Sequence, residues 1–293
     1  MGSRPAGRDA SGSGPAGAGA VKPARFDYVR PRSVEDALAR LASEPGAKLI
    51  AGGQSLGPML NLRLARPSLL VDIGGLPELF QADAGADESF VGAGITHAMI
   101  EDRMVADGSA GFMPHVARTI AYRAVRNRGT IGGSIAHADP AADWLLALTA
   151  LGADVIVARS TGERRIALPQ FVIAAFTPAL GESEMVLGFT FPSLSAGARF
   201  GHAKLARKLG KFADAAAAVI VDRPRGVCRI ALGRPEGQPV LLPGLADQVA
   251  ADGQPSPQDI AAALASALPE LDAFERRILS GALGRALAQA LMP

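Results

Sequence analysis

The apolar positions of this chain fall into short blocks that alternate between helical and strand spacing. After Ser33, the residues Val34, Leu38 and Leu41 recur at helical intervals, which predicts an amphipathic helix ending near Pro45-Gly46. Ser33 and Asp36 give that helix a capping-box start, a hydroxyl with an acid three residues on. Lys48-Leu49-Ile50 predicts a short buried strand, and Leu56, Leu60 and Leu64 a second helix stopped before Pro67. Strands are expected over 68–73, ended by Gly74-Gly75, and over 90–94. Helical spacing returns over 116–125 and over 141–150, the latter with Asp139-Pro140 placed as N-cap and first helical residue. Further strands are expected over 154–158 and 185–191. Beyond Pro192 come three strands, 200–205, 216–221 and 227–232, then two helices, one capped by Ser256-Pro257-Gln258-Asp259 and one over about 271–291. The Gly/Pro-rich stretch 234–243 reads as a loop. The first twenty residues, rich in Gly, Ala, Ser and Pro without an apolar run, read as a disordered tail and not as a signal peptide.

Two double-glycine stretches punctuate this pattern: Ala51-Gly52-Gly53-Gln54-Ser55 and Thr130-Ile131-Gly132-Gly133-Ser134. The first joins a strand to a helix start, so its amides are free of side-chain cover and suit an anion. Two such turns suit a diphosphate held from both sides. At Gly53 and Gly133 a larger residue is expected to obstruct that approach and to lose access to positive φ.

Composition narrows the classes. The 293 residues suffice for about two domains of ~150 residues each. A net charge of +2 and 5% aromatic content argue against a nucleic-acid surface. The one cysteine, Cys228, excludes an internal disulfide and any iron–sulfur cluster held by this chain alone, and points to a reducing, cytoplasmic setting. No apolar run approaches the roughly 18 residues of a membrane span.

Other patterns have weaker readings. Gly53-Gln54-Ser55-Leu56-Gly57 satisfies the nucleophile-elbow pattern, with Asp143 or Asp154 and His202 as conceivable partners, but only one strand precedes it and the second glycine turn has no part in a triad. Gly92-Ala93-Gly94 lacks the third glycine of a dinucleotide fingerprint. His97, His115, His137 and His202 lack metal-ligand spacing and read as loop or surface residues. Arg118, Arg123, Arg126 and Arg128 read as a solvated face, or as positive potential beside a diphosphate. Lys204, Arg207, Lys208 and Lys211 would share one face if helical, and by default read as a solubilising or partner-facing set.

With these residues in view, the chain resembles the FAD-binding medium subunit of the molybdenum hydroxylases. This family includes carbon monoxide dehydrogenase, quinoline and nicotine dehydrogenases, and the middle segment of xanthine dehydrogenase. The likeness is carried by Phe26-Asp27-Tyr28-Val29-Arg30-Pro31, by Ala51-Gly52-Gly53-Gln54-Ser55-Leu56, and by the long stretch from Val125-Arg126-Asn127-Arg128-Gly129 through Thr130-Ile131-Gly132-Gly133-Ser134 to Asp139-Pro140. It implies an α+β fold: a tail over 1–22, a two-lobed PCMH-type FAD-binding domain over 23–192 (lobes about 23–80 and 81–192), and a smaller C-terminal α+β domain over 193–293 with a three-stranded antiparallel sheet and a helical bundle. It implies that Ala51, Gly52, Gly53, Gln54, Ser55 and Leu56, with Thr130, Ile131, Gly132, Gly133 and Ser134, bind the FAD diphosphate. Asp143 matches a position that binds the cofactor through its carboxylate, Ile120 one that packs on the flavin ring, Val186 one whose strand backbone touches the flavin, and Lys204 a lysine near it. A cation there would favour the anionic reduced flavin. Gln54 stands where the family often has histidine, and backbone contacts are expected to make that change minor.

The resemblance also implies a function. FAD would be bound non-covalently and would take electrons from a small [2Fe-2S] subunit, whose source is a large molybdopterin-binding subunit, and pass them to an external acceptor. The molybdenum cofactor and the clusters are expected only on those partners, with no catalytic acid or base, and no metal, on this chain. The alternative is a free-standing FAD-dependent oxidase or dehydrogenase acting directly on a small substrate. That would need a base near the flavin, which the sequence does not announce.

Overall fold

The computed structural model describes residues 22–208 and 210–292. The tail expected over 1–22 lies outside them, apart from Lys22. The described chain opens with β1 (Asp27–Val29), α1 (Val34–Ser43), β2 (Lys48–Ile50), α2 (Leu56–Asn61) and β3 (Leu69–Asp72), whose strands pair in parallel in the order β1-β3-β2. Two helical crossovers between parallel strands are what that pairing requires. Ser33 Oγ accepts from the Asp36 amide at 3.2 Å as expected, while the Asp36 carboxylate accepts from Arg32 and not from Ser33. α2 is shorter than the leucine spacing suggests, because Arg63 takes up φ = +57° and turns the chain.

The second sheet is antiparallel. Between its first strands, β4 (Ala82–Ala84) and β5 (Glu88–Gly92), and its later ones lie five helices: α3 (His97–Glu101), α4 (Phe112–Thr119), α5 (Arg123–Arg126), α6 (Ile131–His137) and α7 (Asp143–Leu151). Then come β6 (Asp154–Arg159), β7 (Gly162–Ala167), α8 (Leu168–Phe171), a separate hairpin of β8 (Val172–Ala174) and β9 (Thr177–Pro178), and β10 (Met185–Pro192). The strand order is β4-β5-β10-β6-β7. The helix expected over 116–125 is two helices, α4 and α5, broken where Ala121 has φ = +42°. α7 starts at Asp143 and not at the Asp139-Pro140 signal, since Asp139 accepts from the Ala141 amide at 3.0 Å and closes a turn instead. Every residue of α7 is buried. Each of its buried leucines, Leu145, Leu146, Leu148 and Leu151, contributes about 1.5–3 kcal/mol by leaving water.

The C-terminal sheet is antiparallel: β11 (Arg199–Leu205), β12 (Ala215–Asp222), β13 (Val227–Gly233) and a two-residue edge strand, β14 (Val240–Leu241), within the stretch expected to be loop. Three helices follow, α9 (Pro243–Asp252), α10 (Pro257–Ala267) and α11 (Ala273–Leu291), where two were expected. The alternation of β12 explains how this sheet joins the rest. Ala216, Ala218 and Ile220 face the core shared with α7, whereas Ala215, Ala217, Val219 and Val221 face the core under α9, α10 and α11. Gly201 on β11 lets α11 approach closely, for a β-carbon there would overlap the Ala286 carbonyl.

Candidate functional site

The two glycine turns meet. A β-carbon on Gly52 would overlap the Arg128 carbonyl, so the first turn can lie against the chain that leads into the second only because residue 52 has no side chain. Arg128 Nε also reaches the Gly52 carbonyl at 3.4 Å. Gly53 has φ = +70°, a backbone conformation that costs other residues about 1–2 kcal/mol. The Gln54 side chain donates to the Gly52 carbonyl at 3.2 Å. Ser55 is exposed at the start of α2 and makes no side-chain cap, and Leu56 begins the helix. Among the described residues no acceptor takes the amides of Gly52, Gly53, Gln54 or Ser55. Four successive N–H groups without partners are what an anion would need there.

The second turn is built differently from expectation. Thr130 caps α6 by accepting from the Gly133 amide at 3.1 Å. The Ile131 amide donates to Ile95, that of Gly132 to Ala93, and that of Ser134 to the Thr130 carbonyl, each at 3.0 Å. Its amides therefore hold the fold together; the Ser134 side chain is half-buried, while the Thr130 hydroxyl is buried and already accepts from Gly133. Gly132 is required because a β-carbon would overlap Ala93, and Gly133 is helical, so the positive-φ argument applies to Gly53 and not to Gly133. His97, expected on the surface, is buried against this turn, and its amide donates to the Gly129 carbonyl at 3.0 Å.

Ile120, Asp143 and Lys204 form a second group. Lys204 Nζ lies 2.8 Å from Asp143 Oδ2, with both side chains almost fully buried, and reaches the Thr119 carbonyl at 3.4 Å. Ile120 is the next residue, half-buried at the end of α4. Burial pushes the Asp143 carboxyl up, opposed by the Lys204 ammonium and its hydrogen bond. Lys204 is on a strand, and Arg207, Lys208 and Lys211 follow in the turn to β12, so the four share no helical face. Its charge is therefore matched by a carboxylate and is not a free cation. Val186 is buried on β10 at a bulge between Val186 and Gly188. The neighbouring Leu187 carbonyl accepts from Ala93 at 2.8 Å, which ties that bulge to the second turn.

The basic run divides. Arg123 pairs with Asp102 and with Glu101, Arg126 pairs with Glu101, and Arg128 alone of these three reaches the first turn. Arg126 carries a role that its sequence position did not disclose, since its carboxylate partner stands 25 residues upstream. The elbow pattern gains nothing: Asp143 is bound to Lys204, Asp154 lies 3.4 Å from Arg165, and His202 is buried beside Phe112 and His115. Among the described residues no group of three or more His, Cys, Asp or Glu is placed to hold a metal ion, and no helix is long and apolar enough to cross a membrane.

The site thus combines an anion-ready turn locked to a second glycine turn with a buried ion pair at the half-buried end of α4. Residues 24–194 match the FAD binding domain in molybdopterin dehydrogenase, and the chain belongs to that family. Over 287 residues it is 36% identical to the 6-hydroxypseudooxynicotine dehydrogenase complex subunit alpha of Paenarthrobacter nicotinovorans, covering 92% of this chain and 96% of the relative. It is 34% identical to caffeine dehydrogenase subunit beta of Pseudomonas sp. (strain CBB1), covering 72% and 74%. Among solved structures, carbon monoxide dehydrogenase from Hydrogenophaga pseudoflava superposes with a TM-score of 0.83 at 29% identity, covering 92% of this chain and 98% of that one. Quinoline 2-oxidoreductase from Pseudomonas putida 86 gives 0.82 at 31%, with the same coverage. The chain is thus an FAD-binding oxidoreductase subunit of the medium-subunit kind. The unpartnered amides and side-chain-free turn fit the diphosphate of that cofactor.

Proposed function

We propose that this chain is the electron-transfer subunit of a multi-subunit molybdenum hydroxylase or dehydrogenase, carrying FAD between a small [2Fe-2S] subunit and an external acceptor, with substrate chemistry on a large molybdopterin-binding subunit. The observation that supports it is the run of four unpartnered amides at Gly52, Gly53, Gln54 and Ser55, clamped against Arg128. FAD, when bound, supplies the redox chemistry.

In this reading the first turn, Ala51 to Leu56, donates its amides to the diphosphate, and Arg128 adds a positive charge. Each such dipole or charge contact adds about 0.3–1 kcal/mol, so the grip depends on several acting together. Thr130 and Ser134 donate hydroxyl hydrogens, while Ile131, Gly132 and Gly133 set the shape of the second turn. Ile120 packs on the ring, the strand backbone at Val186 borders it, and the Asp143–Lys204 pair supplies polar contact near it. Binding is non-covalent. The domain division at about residue 192 belongs to the same reading, supported by the change there from the β10 sheet to the β11–β14 sheet. So does a cytoplasmic assembly, in keeping with a single cysteine.

Purifying the assembly through a tag on this chain tests the proposal. The expected material is yellow, with extractable FAD in proportion to this chain and with molybdenum and iron on co-purifying chains. A folded, colourless chain, or one that oxidises a small organic substrate without partners, would overturn it.

A further inference from the structure

Three successive carbonyls at the end of α4 are each received by a cation. The Thr119 carbonyl accepts from Lys204 Nζ at 3.4 Å, and the Ile120 and Ala121 carbonyls from Arg126 Nη1 at 2.9 and 3.1 Å. Cations at a helix C-terminus take up carbonyls that have no partner within the helix. Arg126 is itself fixed side-on by Glu101, Nε to Oε2 at 2.7 Å and Nη2 to Oε1 at 3.1 Å, in a pair with little solvent exposure. A planar guanidinium held by both carboxylate oxygens has one orientation, and that orientation dictates where the two carbonyls lie.

The turn so held is strained. Ala121 has φ = +42°, a conformation that L residues adopt at a cost. From the other side it is braced by Gly210, where a β-carbon would come within 2.8 Å of the Ala121 carbonyl oxygen. Glu101 ends α3, and the same five-residue helix begins at His97, whose amide donates to the Gly129 carbonyl just ahead of the second glycine turn. One short helix therefore bears on the second turn at its first residue and on Ile120 at its last.

We propose that Arg126 is a positioning residue for the flavin ring, acting through the Ile120 and Ala121 carbonyls with Glu101 setting its plane. This rests on the function proposed above, in which Ile120 packs on that ring. Arg126 touches no phosphate in this scheme: its effect is on the ring and not on the diphosphate grip.

The test uses the intact complex. Arg126→Gln is expected to weaken FAD retention about tenfold, the scale of a single charge-assisted hydrogen bond, because the ring is displaced and not released, and to alter the flavin's visible circular dichroism. ADP, which carries the diphosphate without the ring, should bind the flavin-stripped variant as it binds the parent. Arg126→Lys, which keeps the charge but not the two-pronged hold on Glu101, should fall between. If Arg126→Gln does not assemble, Glu101→Gln loosens the guanidinium from its other side and is read in the same way. Unchanged dichroism and FAD retention in a folded variant would overturn the proposal. So would an equal loss of ADP and FAD binding, which would place the defect in the phosphate turns. A parent complex that holds no FAD would instead sink the function on which the proposal rests.

Discussion

Trp144 donates its indole N–H to Nδ1 of His97 at 3.0 Å. The bond makes Nδ1 an acceptor, so a neutral imidazole carries its proton on Nε2. That nitrogen faces Gly129, where a β-carbon would come within 2.8 Å of it. A fully buried tryptophan of α7 thus orients the histidine that starts α3, and through it the approach to the second glycine turn.

The burial of these histidines makes stability depend on pH. Desolvation, with the nearby Arg126 charge, lowers His97 to about 4; desolvation, with His115 and Lys204, lowers His202 to about 3. Both stay neutral in the native state while the unfolded chain takes up protons below about pH 6.5. Their contribution is therefore complete above pH 6.5 and is lost as the pH falls toward 4 for His97 and 3 for His202. For His97 the loss amounts to about 3 kcal/mol at pH 4. Denaturant midpoints measured across this range should fall accordingly, and less steeply in His97→Gln, whose amide keeps an acceptor for the indole. An equal slope in that variant would exclude His97 as a source.

The two glycines of the first turn should respond differently to alanine. At Gly53 the added methyl meets Ile50 only at van der Waals distance, so the penalty is conformational, about 1–2 kcal/mol from φ = +70°. At Gly52 the methyl overlaps the Arg128 carbonyl, so the two turns must part. Gly52→Ala should therefore lose FAD far more readily than Gly53→Ala, as measured by flavin release during dialysis. Equal retention would mean that contact between the turns does not govern binding.

How much of this was legible in the sequence follows from the range of the interactions. The turn at Ala51–Ser55 is a local strand–glycine–helix pattern, and its expected free amides are found. The second turn carries the same double glycine, yet its Ile131 and Gly132 amides are consumed by Ile95 and Ala93, partners well over 30 positions upstream that no local pattern announces. His97 and His202 read as surface residues because a lone histidine gives no sign of burial. Lys204 falls in the strand expected over 200–205, but its pairing with Asp143 spans 61 positions and left no local sign. Helix α9 was hidden by its Pro243-Gly244 start, since proline suits a first helical turn but also punctuates loops.

Gly201 marks a close approach between the C-terminal sheet and α11. Gly201→Ala would drive a methyl into the Ala286 carbonyl, with no flexible side chain to yield. Overpacking of this kind typically costs about 1–3 kcal/mol. Thermal unfolding of the variant should begin earlier, with Leu283, Ala286 and Leu287 of the α11 core losing hydrogen-exchange protection before α7 does. Uniform loss of protection across both cores would show that they unfold together.

The Asp143–Lys204 pair joins α7 to β11, and removing one partner should cost more than removing both. Lys204→Met leaves a carboxylate buried without its cation, a loss of about 3–5 kcal/mol. Asp143 is already pushed up by burial, and without Lys204 it rises further. A carboxyl raised in the native state destabilises it above the unfolded value near 3.9, increasingly until the pH passes the native value. Acidification should therefore restore much of the stability that Lys204→Met loses at neutral pH. Asp143→Leu combined with Lys204→Met removes both charges and should be more stable than Lys204→Met alone, because no uncompensated ion stays buried. Denaturation of the parent, the singles and the double at neutral and acidic pH measures the coupling directly. Additive losses at neutral pH would mean that the two groups do not hold each other.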